Sequence, residues 1–218
     1  MFIEAPTSSL TLHPHPQAST NIDVHRLWAY PVANAGDAMD RLNMMDSGIV
    51  TQWSGGRCVG PALTVLTRDG DNLAIHRALD DALPGDVLVI NALGGAARAV
   101  FGDLLAEICL AAGVVGVVID GLIRDRAAIQ ELGLPVWARG VSPAGPFKNG
   151  PGSVAAPIAC GGVVVNPGDF ITADDDGVAV IPGDQAEGIM KRLVEIDKSE
   201  DSLRSRIRAS VSSRTPVL

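Results

Sequence analysis

The chain has 218 residues, 47% of them hydrophobic and 19% charged, with a formal net charge of −8. This is enough length for one domain with its own core and too much apolar content for a disordered chain. The acidic balance and the 4% aromatic content argue against a phosphate-binding surface or a base-stacking platform, so no nucleic-acid partner is expected.

Residues 1–20 are rich in Ser, Thr and Pro and show no apolar period, which reads as a flexible arm. His13-Pro14-His15 within it lacks a flanking cysteine or carboxylate and reads as solvent-exposed. No apolar run approaches the ~20 residues of a membrane span, and MFIEAPTSSL carries no basic cluster. A cytoplasmic protein with no membrane partner is the expectation. Cys58, Cys109 and Cys160 are widely separated and form neither a disulfide framework nor a CxxC zinc pattern.

Helical pieces are expected in DVHRLWAY and AGDAMDRL, with Asp37 available to cap the second. CVGPALTVL reads as a strand. In DNLAIHRALDDAL the residues Ile75, Ala78, Leu79, Ala82 and Leu83 recur at helical spacing, and Pro84-Gly85-Asp86 ends that helix. VLVINAL is a buried strand, LLAEICLAAG an apolar helix closed by Gly113, and VVGVVIDG a second buried strand. Asp125 to Leu132 is a further helix, closed by Gly133, and LPVWARG the next strand. Such alternation argues for an α/β layer. After about residue 153 strands and turns follow without helices, so the sheet is mixed. From Gln185 a polar helix carries only Ile189, Leu193, Ile196, Leu203 and Ile207, too little apolar surface for a core of its own. The expected organisation is an arm over 1–20, one α/β domain over 21–184, and a helical extension over 185–218.

The chain lacks GxSxG, GxxxxGK[ST] and HExxH. Gly94-Gly95 follows a strand but lacks the lysine and third glycine of nucleotide loops. The chemistry lies instead at two strand ends. Gly102-Asp103-Leu104-Leu105 opens a helix, whose first-turn N–H groups suit a carboxylate. Twenty residues separate Asp103 from Arg124-Asp125, enough for one helix and one strand. Adjacent parallel strands bring their carboxyl ends together, so the three residues should share a crevice. Two carboxylates without histidines suit Mg²⁺ or Mn²⁺, and a guanidinium beside them can hold a developing enolate oxygen. Singly, Asp103 could be a helix cap and Arg124–Asp125 a surface pair. His76 reads as a structural histidine, Asp174-Asp175-Asp176-Gly177 as a polar turn, and the cysteines as core. Lys148 and Asn149 sit in the loop PAGPFKNGPG, which could border the pocket.

The stretches GDLL and RD, with PGDVLVINA, GVVGVVIDGLIRD, LPVWARG and CGGVVVNPGDFITADDDGVAVIP, resemble the 4-hydroxy-4-methyl-2-oxoglutarate / 4-carboxy-4-hydroxy-2-oxoadipate aldolases over residues 30–200. These are class II pyruvate aldolases, and their superfamily includes the regulator of ribonuclease E activity A. The resemblance implies a β/β/α swivelling-type domain with a mixed sheet and a C-terminal helix, assembled as homotrimers or homohexamers. It implies that Asp125 binds the metal, and that Asp103 holds a metal water. Leu104 and Leu105, with Gly102, would receive the pyruvyl carboxylate, and Arg124 would contact the keto or enolate oxygen. A glutamate from the adjacent subunit, Glu200 or else Glu195, would hold a second metal water. The implied activity is cleavage of 4-hydroxy-2-keto acids to pyruvate and a second keto acid, with oxaloacetate decarboxylation alongside. The alternative is a non-enzymatic regulator that binds a ribonuclease. A methyltransferase role finds no glycine-rich adenosylmethionine loop in the chain.

Overall fold

The computed structural model describes residues 9–16 and 22–212. In chain order its elements are β1 (Leu10–Leu12), α1 (Val24–Trp28), α2 (Val32–Ala38), β2 (Val50–Thr51), β3 (Cys58–Thr67), α3 (Leu73–Asp80), β4 (Val87–Asn91), β5 (Ala99–Phe101), α4 (Asp103–Ala112), β6 (Gly116–Ile123), α5 (Arg126–Leu132), β7 (Val136–Val141), β8 (Gly152–Val154), β9 (Ile158–Cys160), β10 (Val163–Val165), β11 (Phe170–Asp174), β12 (Gly177–Ile181) and α6 (Ala186–Ser212).

Strands β3, β4, β6 and β7 are parallel neighbours in that order. Each step moves the same way across the sheet, so right-handed crossovers leave α3, α4 and α5 on one face. The strands are apolar on both faces because both are covered. Along β4 and β6 the side chains alternate: Leu88, Ile90, Val117 and Ile119 join the helical core, whereas Val87, Val89 and Val118 face the opposite cluster with Trp137, Ile171 and Val180. That second cluster lies against β9–β12. On β12, Ala179 and Ile181 point outward again, to α1, α2 and the first turns of α6. The layers are therefore helix, sheet, sheet, helix, as expected of a mixed α/β sandwich with a C-terminal helix.

One strand belongs to both sheet layers. Residues Cys58–Pro61 of β3 pair antiparallel with β11, and Ala62–Leu66 pair parallel with β4. The other tight junction is the end of α4. Gly113 adopts φ 80°, and a Cβ there would lie 2.9 Å from Pro84 Cα, so the C-cap requires glycine.

Three local readings change. Residues 1–8 and 17–20 of the expected flexible arm lie outside the described residues, but β1 pairs in parallel with β8, and His15 Nε2 meets the buried Asp86 carboxylate at 2.7 Å. Backbone pairing to a strand 142 positions away leaves no periodic trace in three residues. Asp37 does not cap a helix: α2 begins earlier, at Val32, and Asp37 in its last turn pairs with Arg41 at 3.1 Å. The terminal helix is split in its packing: Ile189 and Leu193 are buried with α1 and α2, while Leu203 and Ile207 are about half exposed.

Candidate active site

The short strand β5 assembles the site. It pairs with the end of β6, Ala99 opposite Leu122 and Phe101 opposite Ile123, and the Arg124 N–H donates to the Phe101 carbonyl at 2.9 Å. Gly102-Asp103 and Arg124-Asp125 thus leave two paired strands at the same level. A Cβ on Gly102 would lie 2.8 Å from Asp125 Oδ2 and 3.1 Å from both Cγ and Nε of Arg124. The backbone there is extended, so the demand for glycine is one of space alone.

Arg124 and Asp125 form an exposed ion pair, and the backbone around them is unusual. Asp125 stands at the N-cap of α5, yet its side chain makes no capping bond. It adopts φ 55°, uncommon outside glycine, and turns its carboxylate to Arg124 Nε at 3.0 Å. Both side chains are more than a third exposed, 39% and 37%. Asp103 opens α4, and its Oδ1 accepts the Leu104 N–H at 2.8 Å. A substrate carboxylate at Leu104 and Leu105 would share or replace that bond.

Gly102, Asp103, Leu104, Leu105 and Arg124 form one wall of a cavity of about 270 Å³. Asn72, His76 and Lys148 lie across it. Asn72 is 4% exposed, and its Oδ1 and the His76 Nδ1 are buried without a hydrogen-bond partner. Both residues line the cavity, with these two polar atoms themselves shielded beneath its surface. Burial, then the Lys148 charge, pushes His76 down to about 4 against the opposing effect of Asp80, so its ring is neutral at pH 7. Asp125 borders a neighbouring depression of about 400 Å³ with Arg126 and Ser142, and Arg124 borders both.

Lys148 therefore borders the pocket, whereas Asn149 turns its N–H to Asp71. Sequence reasoning assigned His76 to structure and did not consider Asn72. The signal was their i, i+4 spacing at the start of α3, which puts two polar groups on one helix face. Glu195 and Glu200 do not line this cavity. Glu200 accepts from Arg204 at 2.7 Å, and Glu195 borders a groove between α1 and α6. Among the described residues no three His, Cys, Asp or Glu side chains converge to hold a metal. Asp103 and Asp125 offer oxygen alone, a donor set that fits a hard divalent cation retaining most of its water.

Other motifs resolve structurally. Gly94 donates its N–H to the Asp120 carbonyl, and a Cβ on Gly95 would displace the Asp69 carboxylate. Asp174 accepts from Asp176 and Val32 N–H groups, forming the turn between β11 and β12. The three cysteines are buried, which pushes their thiols up.

Residues 32–180 match the model of the RraA-like family, described as Aldolase/RraA. The chain belongs to the RraA-like family. It is 40% identical over 176 residues to a protein of Halalkalibacterium halodurans provisionally named 4-hydroxy-4-methyl-2-oxoglutarate aldolase, covering 81% of this chain and 83% of that one. Two solved RraA-like folds superpose with a TM-score of 0.75. One is an uncharacterized protein from Pseudomonas syringae pv. tomato, 28% identical, covering 94% of this chain and 96% of that one. The other is RraAS2 of Streptomyces coelicolor, described as an unusual member of the RNase ES inhibitor RraA protein family, 32% identical, covering 84% and 96%. No helix among the described residues is long and apolar enough to cross a membrane.

Proposed function

We propose that this RraA-like protein is a divalent-metal-dependent lyase that cleaves 4-hydroxy-2-keto acids of the 4-hydroxy-4-methyl-2-oxoglutarate or 4-carboxy-4-hydroxy-2-oxoadipate type. The observation that carries the reading is the meeting of Asp103, Arg124 and Asp125 beside a cavity with a cation, Lys148, on its far wall. Asp125 would hold a Mg²⁺ or Mn²⁺ ion and Asp103 would bond a water on it, and the ion would supply Lewis acidity toward the pyruvyl group. Leu104 and Leu105 N–H groups, next to Gly102, receive that carboxylate at the start of α4. Arg124 sets its guanidinium beside the keto oxygen, where charge develops as the C3–C4 bond breaks. The C4 hydroxyl gives up its proton, C4 becomes a carbonyl, and C3 is protonated to yield pyruvate. The neutral His76 is a weak base, and Asp103 would orient a water to take the proton. Oxaloacetate loses CO₂ to the same enolate. Lys148 faces the second carboxylate of such substrates.

The protein acts as a homotrimer or homohexamer in the cytoplasm. The stripe of Ile189, Leu193 and Ile196 continues beyond the body as exposed Leu203 and Ile207, which supports docking of α6 on another copy and delivery of Glu200, or Glu195, to its site. The relationship to RraAS2 favours a second reading, a regulator that binds a ribonuclease without catalysis. The deciding experiment measures pyruvate release from oxaloacetate and from 4-hydroxy-4-methyl-2-oxoglutarate, with Mg²⁺ or Mn²⁺ and with EDTA. Metal-dependent pyruvate supports the lyase. No pyruvate, with stoichiometric ribonuclease binding, selects the regulator.

A further inference from the structure

We infer that Asp71 is the positioning residue of the cavity's far wall: one buried carboxylate fixes both the start of α3, with Asn72 and His76, and the loop that presents Lys148. The inference rests on the proposed reading of this cavity as the substrate site.

Asp71 is fully buried. Its two oxygens serve two different segments. Oδ1 accepts the Leu73 N–H at 2.9 Å and so sets the first turn of α3. Oδ2 accepts the Asn149 N–H at 2.7 Å, from a residue 78 positions away. Arg68, itself partly exposed, stands 3.7 Å from the same oxygen. The flanking backbone repeats the link. Phe147 N–H donates to the Gly70 carbonyl at 2.8 Å, and Asn72 N–H donates to the Phe147 carbonyl at 3.0 Å. Lys148 thus lies between two residues whose backbones are tied to residues 70–72. Ser9 closes the outside of the loop, its hydroxyl donating to the Asn149 carbonyl at 3.1 Å.

A carboxylate is required for this arrangement because both oxygens face N–H donors. Asparagine keeps one acceptor and turns its amide N–H₂ toward the other donor, so one of the two segments is released. The carboxylate does not line the cavity, and its effect on a ligand passes through its neighbours. It therefore acts on the half of the substrate that reaches Asn72, His76 and Lys148, and leaves the Asp103–Arg124 wall alone.

The test compares two reactions in the full chain with metal present. Cleavage of 4-hydroxy-4-methyl-2-oxoglutarate uses both walls. Exchange of pyruvate methyl protons with D₂O, followed by NMR, uses only the Arg124 wall. Asp71→Asn should lower kcat/KM for cleavage about tenfold or more, the scale of one hydrogen bond to a charged group. Methyl exchange should stay within about twofold of wild type, since none of its contacts is released. In a Lys148→Ala background the same substitution should add little further loss, because the two residues act in series. Equal loss in both reactions, or full additivity with Lys148→Ala, overturns the inference. Backbone hydrogen exchange gives a readout free of activity: residues 147–149 should exchange faster in Asp71→Asn while Gly145, β4 and β6 keep their protection. Unchanged protection of 147–149 also overturns it. Should Asp71→Asn fail to fold, Ser9→Ala releases the other bond to Asn149 and should show the same pattern at smaller amplitude; no change in either readout overturns the loop coupling. A wild-type protein inactive in both reactions refutes the lyase reading, and hydrogen exchange then decides the role of Asp71 alone.

Discussion

Gly102→Ala tests the site without removing any group that carries charge. The new Cβ would stand 2.8 Å from Asp125 Oδ2 and 3.1 Å from Cγ and Nε of Arg124. Comfortable separation of such atoms is about 3.5 Å, so the pair must retreat by roughly 0.5 Å. The backbone cost is nil, because Gly102 is extended at φ −153°, and the loss of glycine's unfolded freedom favours the variant by about 0.4–1 kcal/mol. Both displaced side chains are more than a third exposed, so the shift does not disturb the core. Stability should therefore stay within about 1 kcal/mol, a change of roughly 2–4 °C in Tm for a chain of this size. Misplacement of reacting groups on this scale costs up to about 10² in rate. Metal-dependent pyruvate release should fall by about 10–10² in kcat/KM. A variant with wild-type Tm and wild-type turnover would refute the argument that Asp125 and Arg124 must hold their observed positions. A large fall in Tm would show that Gly102 serves the fold.

Arg124→Ala should cost about 10²–10³ in turnover with little change in Tm, because its backbone bond to Phe101 remains; steady-state kinetics and thermal unfolding check both. Asp125→Ala should abolish activation by Mg²⁺ or Mn²⁺, and a metal titration that matches wild type would count against Asp125 as the ligand. His76 titrates near 4 in the folded chain and near 6.5 when unfolded. Between those values the unfolded state binds more protons, so stability rises with pH through that window and is lost as pH falls from 6.5 toward 4. Denaturation midpoints at pH 7 and 4.5 should differ more in wild type than in His76→Gln; equal differences would sink the assignment.

Much of the fold was legible because its signals are local. The apolar runs of β4 and β6, the glycine after α4 and the helical spacing of Ile75, Ala78 and Leu79 each follow from residues close in sequence. Asp103, Arg124 and Asp125 were legible for the same reason, as residues leaving strands at the start of helices. What brings them together was not legible. Three apolar residues, Ala99-Val100-Phe101, cannot display a period, and their pairing with β6 reaches across a whole helix. The far wall was hidden differently. Asn72 and His76 flank an apolar helix face, so each passes for an ordinary boundary residue, and Lys148 lies in a Pro/Gly loop whose path is set by Asp71. The arm was misjudged because β1 owes its order to β8 and to the His15–Asp86 contact, neither of which is written in residues 1–20.

The strand shared by both sheets has a consequence for how this protein can be cut. Since β3 bonds to β11 through its first half and to β4 through its second, neither layer is a separable module. A break in the polypeptide between Pro61 and Ala62 would divide a strand that both layers use for register, and two fragments divided there should not complement one another. A break in the turn at Asp175-Asp176, where the chain merely reverses between paired strands, should leave fragments that reassemble. The protein's natural termini for rearrangement therefore lie at its hairpin tips, on the layer away from Arg124, and never along the strand that unites its halves.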